Sequence, residues 1–181
     1  VVLFGGHLDA TSAGTGASDN AAGAAVAMEA IRILRAIGVT PRRTIRVALW
    51  GGEEAGLLGS RGYVAKHYGN PDNLQYTPEH EKFAAYFNKD RDTGRIRGVN
   101  LQGNERLRPI FTEWIKPFHN LGMTHLSSRS SWNSDHASFN AVGLPAVQFI
   151  QDPIEDRAAH TNMDVYDRLV PEDLMQSAVI M

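Results

Sequence analysis

Glu53 and Glu54 stand side by side in Gly51-Gly52-Glu53-Glu54-Ala55-Gly56, directly after the apolar run Ile45-Arg46-Val47-Ala48-Leu49-Trp50. Neighbouring carboxylates on a glycine-flanked turn cannot easily share one role. At the end of a buried strand, one can ligate a metal while the other stays free to take a proton from a water the metal holds. That division of labour is hydrolase chemistry. The structural alternative is the acidic first turn of a helix, where the positive end of the dipole favours carboxylates. A second cluster, Gly6-His7-Leu8-Asp9, ends another apolar run, Val1-Val2-Leu3-Phe4, so two strands would deliver polar groups to one edge.

That cluster and three further places carry candidate chemistry. In His7-Leu8-Asp9, period-two alternation puts both polar side chains on one side of an extended strand end. Asp9 is then placed to accept the second ring N–H of His7 and fix its tautomer, as the carboxylate behind a ligating histidine does. Asp19 follows a Gly/Ser-rich loop and opens an Ala-rich segment, which suits an N-cap; its two oxygens also suit it to bridge two metals. Asp90 and Asp92 in Asn88-Lys89-Asp90-Arg91-Asp92-Thr93-Gly94 are hard to separate by spacing, and Asp90 lies nearer the strand end. His160, in His160-Thr161-Asn162-Met163-Asp164, competes with Ser134-Asp135-His136 as a source of imidazole, and a plain surface histidine is its bland alternative.

These groups need a scaffold with strand ends on one edge. Residues 1–5 and 44–50 read as strands, the second apolar enough for burial on both faces. Residues 19–38 read as a helix with Ala22, Val26, Ala27, Ala30, Ile31 and Leu34 at helical spacing, stopped by Gly38. A helix over 54–66, a long polar loop over 68–81, a strand over 83–88 and a helix over 107–121 with Ile110, Trp114, Ile115 and Phe118 on one face follow. Gly143-Leu144-Pro145-Ala146-Val147-Gln148-Phe149-Ile150 is the fourth strand, and Pro171 opens the last helix. Strand and helix alternate, so the expected fold is α/β, with a centrally parallel sheet whose ligands gather beyond the strand carboxyl ends.

Composition agrees with one domain: 181 residues, 43% hydrophobic and 21% charged. A formal net charge of −2 and no basic block leave nothing to hold nucleic acid. The absence of cysteine removes thiolate ligation, so any metal must be held by histidine and carboxylate. No apolar stretch approaches the roughly 20 residues needed to cross a bilayer, so no membrane contact is expected. Val1 lies inside a strand-like run and Met181 ends an apolar pattern, so residues 1–181 are expected to be a single domain truncated at both ends.

Taken together, His7-Leu8-Asp9, Ser18-Asp19-Asn20, Gly52-Glu53-Glu54-Ala55-Gly56-Leu57-Leu58-Gly59-Ser60, Asn88-Lys89-Asp90 and His160-Thr161-Asn162-Met163-Asp164 resemble metallopeptidase family 28, in that family's order. The resemblance implies a three-layer α/β sandwich with a mixed, centrally parallel sheet, lacking here part of the N-terminal sheet. It implies two zinc ions bridged by Asp19, with His7 and Asp90 completing one site and Glu54 and His160 the other. Glu53 would be the general base acting on a metal-bridging water, and Asp9 would orient His7. The implied activity is removal of a residue near a peptide terminus, an aminopeptidase first and a dipeptidase or carboxypeptidase of the plasma glutamate carboxypeptidase type second. A single-zinc glutaminyl-cyclase-like acyltransferase and a non-catalytic binding ectodomain are the remaining alternatives, and intact His7 and Asp90 count against both. Peptide or dipeptide is the expected partner, a secreted or periplasmic location follows only by family analogy, and oligomeric state is open. The 68–82 loop and residues 126–139 are expected to wall the substrate pocket, with Arg129, Asn133, Ser134 and His136 as candidate contacts to substrate termini.

Overall fold

The computed structural model describes residues 1–11, 14–73, 75–91, 93–153 and 158–181. Its frame is a six-stranded sheet of β1 (Val2–His7), β2 (Ile45–Trp50), β5 (Ala85–Asn88), β6 (Ile96–Asn100), β7 (His125–Ser127) and β8 (Ala146–Gln151), in the order β2-β1-β5-β8-β6-β7. β1 pairs in parallel with β2 and β5, β5 with β8 and β6 with β7, whereas β6 and β8 are antiparallel. The mixed sheet with a parallel centre therefore matches expectation. Two strands of this sheet were not expected. β6 carries Gly98 at a register shift beside β8, and β7 is only three residues long, so neither shows a strand-like apolar run.

Alternation along each strand separates two packed faces. Leu3, Ala48, Trp50, Tyr86 and Ala146 pack with α2 (Leu58–His67) and α4 (His136–Asn140) on one side. Phe4 and its neighbours Val2 and Phe87 meet α1 (Ala22–Ala36) on the other, where Val147 and Phe149 meet α3 (Arg108–Trp114) and α5 (Pro171–Ile180). That is a three-layer arrangement. Phe139 of α4 is fully buried, with its ring 4.8 Å from Tyr86, 5.3 Å from Phe83 and 5.9 Å from Trp50. Phe139→Ala removes this keystone, and urea denaturation should show a loss of about 3–5 kcal/mol; a loss under about 1 kcal/mol would contradict the packing.

Several element boundaries differ from expectation for local reasons. β2 lies at a sheet edge with only Ala48 and Trp50 buried and Arg46 exposed, so it is not buried on both faces. The second helix starts at Leu58 rather than 54, because Gly52, Gly56 and Leu57 all take left-handed φ values (72°, 105° and 62°) that no helix accommodates. The 107–121 segment is a short helix followed by a 3₁₀ turn, Lys116–Leu121, broken at Pro117. Its buried face is Phe111 and Ile115, while Ile110 and Trp114 are exposed. The expected loop over 68–81 holds a small antiparallel ladder of β3 (Gly69–Asn70) and β4 (Gln75–Tyr76); Leu74 within it is outside the described residues. The stop at Gly38 (φ 73°) and the start at Pro171 stand as read. No helix among the described residues is long and apolar enough to cross a membrane.

Candidate metal centre

His7 is the last residue of β1, 1% exposed, and pairs in register with Trp50 at the end of β2. The Glu53-Glu54 turn therefore starts next to it. His7 Nδ1 lies 2.9 Å from the backbone carbonyl of Asp9, while the nearest Asp9 carboxylate oxygen is 3.7 Å away. The expected carboxylate-to-imidazole bond is thus made by the Asp9 carbonyl, because the chain bends after His7 and the alternation ends. The freed carboxylate accepts from both Glu53 N and Glu54 N at 3.1 Å each. Asp9 clamps the acidic turn and, through its carbonyl, the imidazole.

The clamp holds a tight bend rather than a helix start. Gly56 N and Leu57 N donate to Glu53 O at 2.8 and 2.9 Å, and Leu58 N and Gly59 N close back on Gly52 and Gly51. Glu53 (9% exposed) and Glu54 are consequently turned inward instead of lying on a solvated first turn.

Asp19 comes from a kinked segment, Ala17–Ala21, in which it and Asn20 have non-helical backbone angles and share a cis peptide bond. It is not an N-cap. Asn20 does that work, accepting from Gly23 N at 3.1 Å and donating to Lys89 O at 2.8 Å, which ties the loop to the end of β5. A Cβ at Gly6 would fall 2.5 Å from that same Lys89 oxygen, so only glycine leaves room for the tie. On the other side, buried Asp164 accepts from Ser18 N (2.6 Å), Ser18 Oγ (2.7 Å) and Asp19 N (3.0 Å). Residue type and spacing alone assign Asp164 no role; its place at the end of the His160-Thr161-Asn162-Met163-Asp164 motif is the one signal for it in the sequence.

Asp90 follows β5 and is 8% exposed, with Oδ1 3.0 Å from His7 Nε2. A polar relay supports it: Trp50 Nε1 donates to Tyr86 Oη, which donates to Asn88; Asn88 Nδ2 donates to Gln148 Oε1, and Gln148 Nε2 donates to Asp90 O. Asp92, its rival by spacing, is outside the described residues. His160, in the left-handed region at φ 62°, places Nε2 3.0 Å from Asp19 Oδ2 and 3.2 Å from Glu54 Oε2. A strained backbone at such a position is a common mark of a functional site. Asp19 Oδ1 meanwhile lies 3.1 Å from His7 Nε2. One carboxylate thus faces both imidazoles with different oxygens.

His7, Asp19, Glu53, Glu54, Asp90 and His160 meet in one place, with Asp9 bonded to the Glu53 and Glu54 amides behind them. His7, Asp19 and Asp90 form one group with ligand atoms within 4.8 Å of one another, and Asp19, Glu54 and His160 form a second; His7, Glu53 and Glu54 overlap both. Burial opposes the charged form of His7, but hydrogen bonds to Asp19 and Asp90 and the negative charges of Asp90 and Glu53 prevail and raise its pKa to about 11. Burial, reinforced by the Asp90 charge, raises Glu53 to about 8, and burial with the charge of Asp19 raises Glu54. Asp90 is held below the usual range, its burial outweighed by the His7 bond. Two buried oxygens, Asp19 Oδ2 and Glu54 Oε1, have no hydrogen-bond donor; Asp19 Oδ2 is close to His160 but misaligned. Crowded carboxylates, imidazoles and orphaned inward-facing oxygens fit a bound cation of the zinc type, which takes nitrogen and oxygen ligands.

Ser134-Asp135-His136 does not join these groups. His136 is fully buried and turns to Ser131, with Nε2 2.9 Å from its carbonyl, so the competing imidazole and its expected contact with substrate are both withdrawn. Asp135 is fully buried, and burial pushes its carboxyl up to about 7. Asn70, Pro71 and Asp72 from the 68–82 segment line a cavity of about 560 Å³ between α2 and α4 that contains none of the grouped residues. Arg129, Asn133 and Ser134 line a different one, of about 360 Å³, together with Asp90.

Carboxypeptidase Q of Xenopus laevis is 30% identical over 152 residues, covering 84% of this chain and 30% of that protein. Among solved structures, a peptidase M28 precursor from Shewanella amazonensis superposes with a TM-score of 0.84 at 29% identity, over 99% of this chain and 39% of that one. A zinc aminopeptidase from Bacillus subtilis gives 0.78 at 26% identity, over 99% and 43%. The chain spans about a third of the curated relative and two fifths of these structures. The model of peptidase family M28 matches residues 1–181, and the chain belongs to that family.

Proposed function

We propose that this chain carries the catalytic centre of a di-zinc exopeptidase acting as an aminopeptidase. The observation that carries the reading is Asp19, whose two oxygens face His7 and His160 separately at 3.1 and 3.0 Å. His7 and Asp90 would complete one zinc site and Glu54 and His160 the other. Four grouped carboxylates, Asp19, Glu53, Glu54 and Asp90, surround two histidines, a set of oxygen and nitrogen donors that suits zinc. Zinc, when bound, supplies Lewis-acid polarisation of the scissile carbonyl and acidifies the attacking water. The Glu53 carboxylate lies 3.9 Å from His7 Nε2 and accepts no hydrogen bond among the described residues, so it is free to take the proton of that water and return it to the leaving amine. Asp9 keeps Glu53 and Glu54 in their separate orientations through their backbone amides.

Identity to carboxypeptidase Q favours a second reading, a dipeptidase or carboxypeptidase built on the same centre. Zinc content measured by elemental analysis, alongside hydrolysis of aminoacyl-arylamides, dipeptides and C-terminally blocked peptides, tests both. The expected result is two zinc ions per chain, with arylamide hydrolysis lost on chelation and restored by zinc. Dipeptides cleaved while arylamides are refused would select the second reading. One zinc in an active preparation points instead to a glutaminyl-cyclase-like acyltransferase, and no zinc with no amidase activity to a binding ectodomain.

A further inference from the structure

The cavity of about 360 Å³ beside Asp90 is built differently from an apolar side-chain pocket. Its floor is the β8 face at Gln148 and Ile150, next to Asn100 of β6, and its wall is the segment carrying Arg129 and Asn133. This volume falls within the range of small-ligand sites. Gln148 is fixed by Asn88 and the Asp90 carbonyl, so the floor is rigid. The Arg129 guanidinium has no hydrogen-bond or ion-pair partner among the described residues; only its backbone N is engaged, by Ser127 Oγ. Asp90 is the single carboxylate in the lining, and it is turned to His7. A substrate amide at the Asp19, Glu54 and His7 group would therefore have an unpaired arginine, Arg129, on the Asp90 flank, in a wall that also holds Arg91, which is itself engaged, and otherwise amides, hydroxyls and a few apolar groups.

We propose that this cavity binds a carboxylate of the substrate, with Arg129 as the specificity-determining residue. The inference rests on the exopeptidase reading above and names the substrate class for it. The planar guanidinium fork matches a carboxylate bidentately, and an ammonium in the same place would be repelled. The carboxylate has two sources, an acidic side chain at the residue whose carbonyl is attacked or the free C-terminus of a short peptide. The cavity between α2 and α4 offers no rival, since none of the grouped residues borders it.

Two substrate pairs separate the sources. Glu-arylamide against Gln-arylamide varies only the side chain, and a dipeptide against its C-terminal amide varies only the terminus. In the zinc-loaded protein, one pair is expected to show a preference in kcat/KM for the carboxylate member of about tenfold, the lower end for hydrogen bonds to a charged group. Arg129→Ala should reduce that ratio to about twofold or less and Arg129→Glu should invert it, while Arg35→Ala, an equal loss of charge on the exposed last turn of α1, leaves it unchanged. Absence of preference in both pairs, or a ratio that survives in Arg129→Ala, overturns the assignment. If no amide is hydrolysed, the exopeptidase reading has failed, and calorimetry with N-acetylglutamate still reads the cavity. Binding about tenfold tighter to the native zinc-loaded protein than to Arg129→Ala upholds the carboxylate site, and equal binding rejects it.

Discussion

Glu53→Gln is expected to lower kcat by about 10²–10⁴-fold, the usual contribution of a positioned general base, while zinc content stays at the native level. The substitution keeps the size of the side chain. It also keeps the Glu53 backbone amide on which the Asp9 carboxylate holds the turn. No donor fixes the Glu53 carboxylate in place, so the amide meets no lost or clashing partner. Glu54, one residue on, faces His160 at 3.2 Å and is left untouched. Elemental analysis and turnover measured on the same sample check both halves. Native turnover with full zinc would remove Glu53 from the proton path, and a loss of zinc in parallel with turnover would make it a ligand instead.

How much of this site was readable follows from where each residue sits. His7, Glu53, Glu54 and Asp90 follow apolar runs, and a buried parallel sheet delivers the ends of such runs to one edge. Their meeting was therefore legible once the runs were seen as strands. Asp19 and His160 sit in polar loops, and these are fixed by tertiary bonds: Asp19 N to Asp164 across 145 residues, and Asn20 to the Lys89 carbonyl across 69. Residue type made both of them candidates, and the resemblance to a known family is what chose them over the N-cap and surface-histidine alternatives. The role of Asp9 was half legible: alternation put it near His7, but the bend after β1 sends its carboxylate to the Glu53-Glu54 amides and leaves its carbonyl for the imidazole. Strands β6 and β7 escaped because Gly98 interrupts the first and the second is too short to show a period. A Cβ at Gly98 would lie 1.9 Å from His125 O, so close approach of β7 is what demands the residue that hid β6.

The largest effect on metal binding is expected from Asp19→Ala. Each of the other proposed ligands serves one ion, so His160→Ala or Asp90→Ala should lower zinc content by one per chain. Asp19 presents one oxygen to each imidazole, and its removal takes a ligand from both sites and a negative charge from between the two ions. Changing groups that merely support a ligand costs about 10–100-fold in metal affinity, so loss of a shared ligand should exceed about 100-fold at both sites. At a zinc concentration that saturates the native protein, stoichiometry then falls from two towards zero and hydrolysis falls with it. Far-UV circular dichroism and Asp19→Asn, which keeps the volume and the Asp19 N–H to Asp164, separate this from misfolding. If Asp19→Ala in a folded chain keeps one zinc, Asp19 serves a single site; if it keeps two, the ions are held without it.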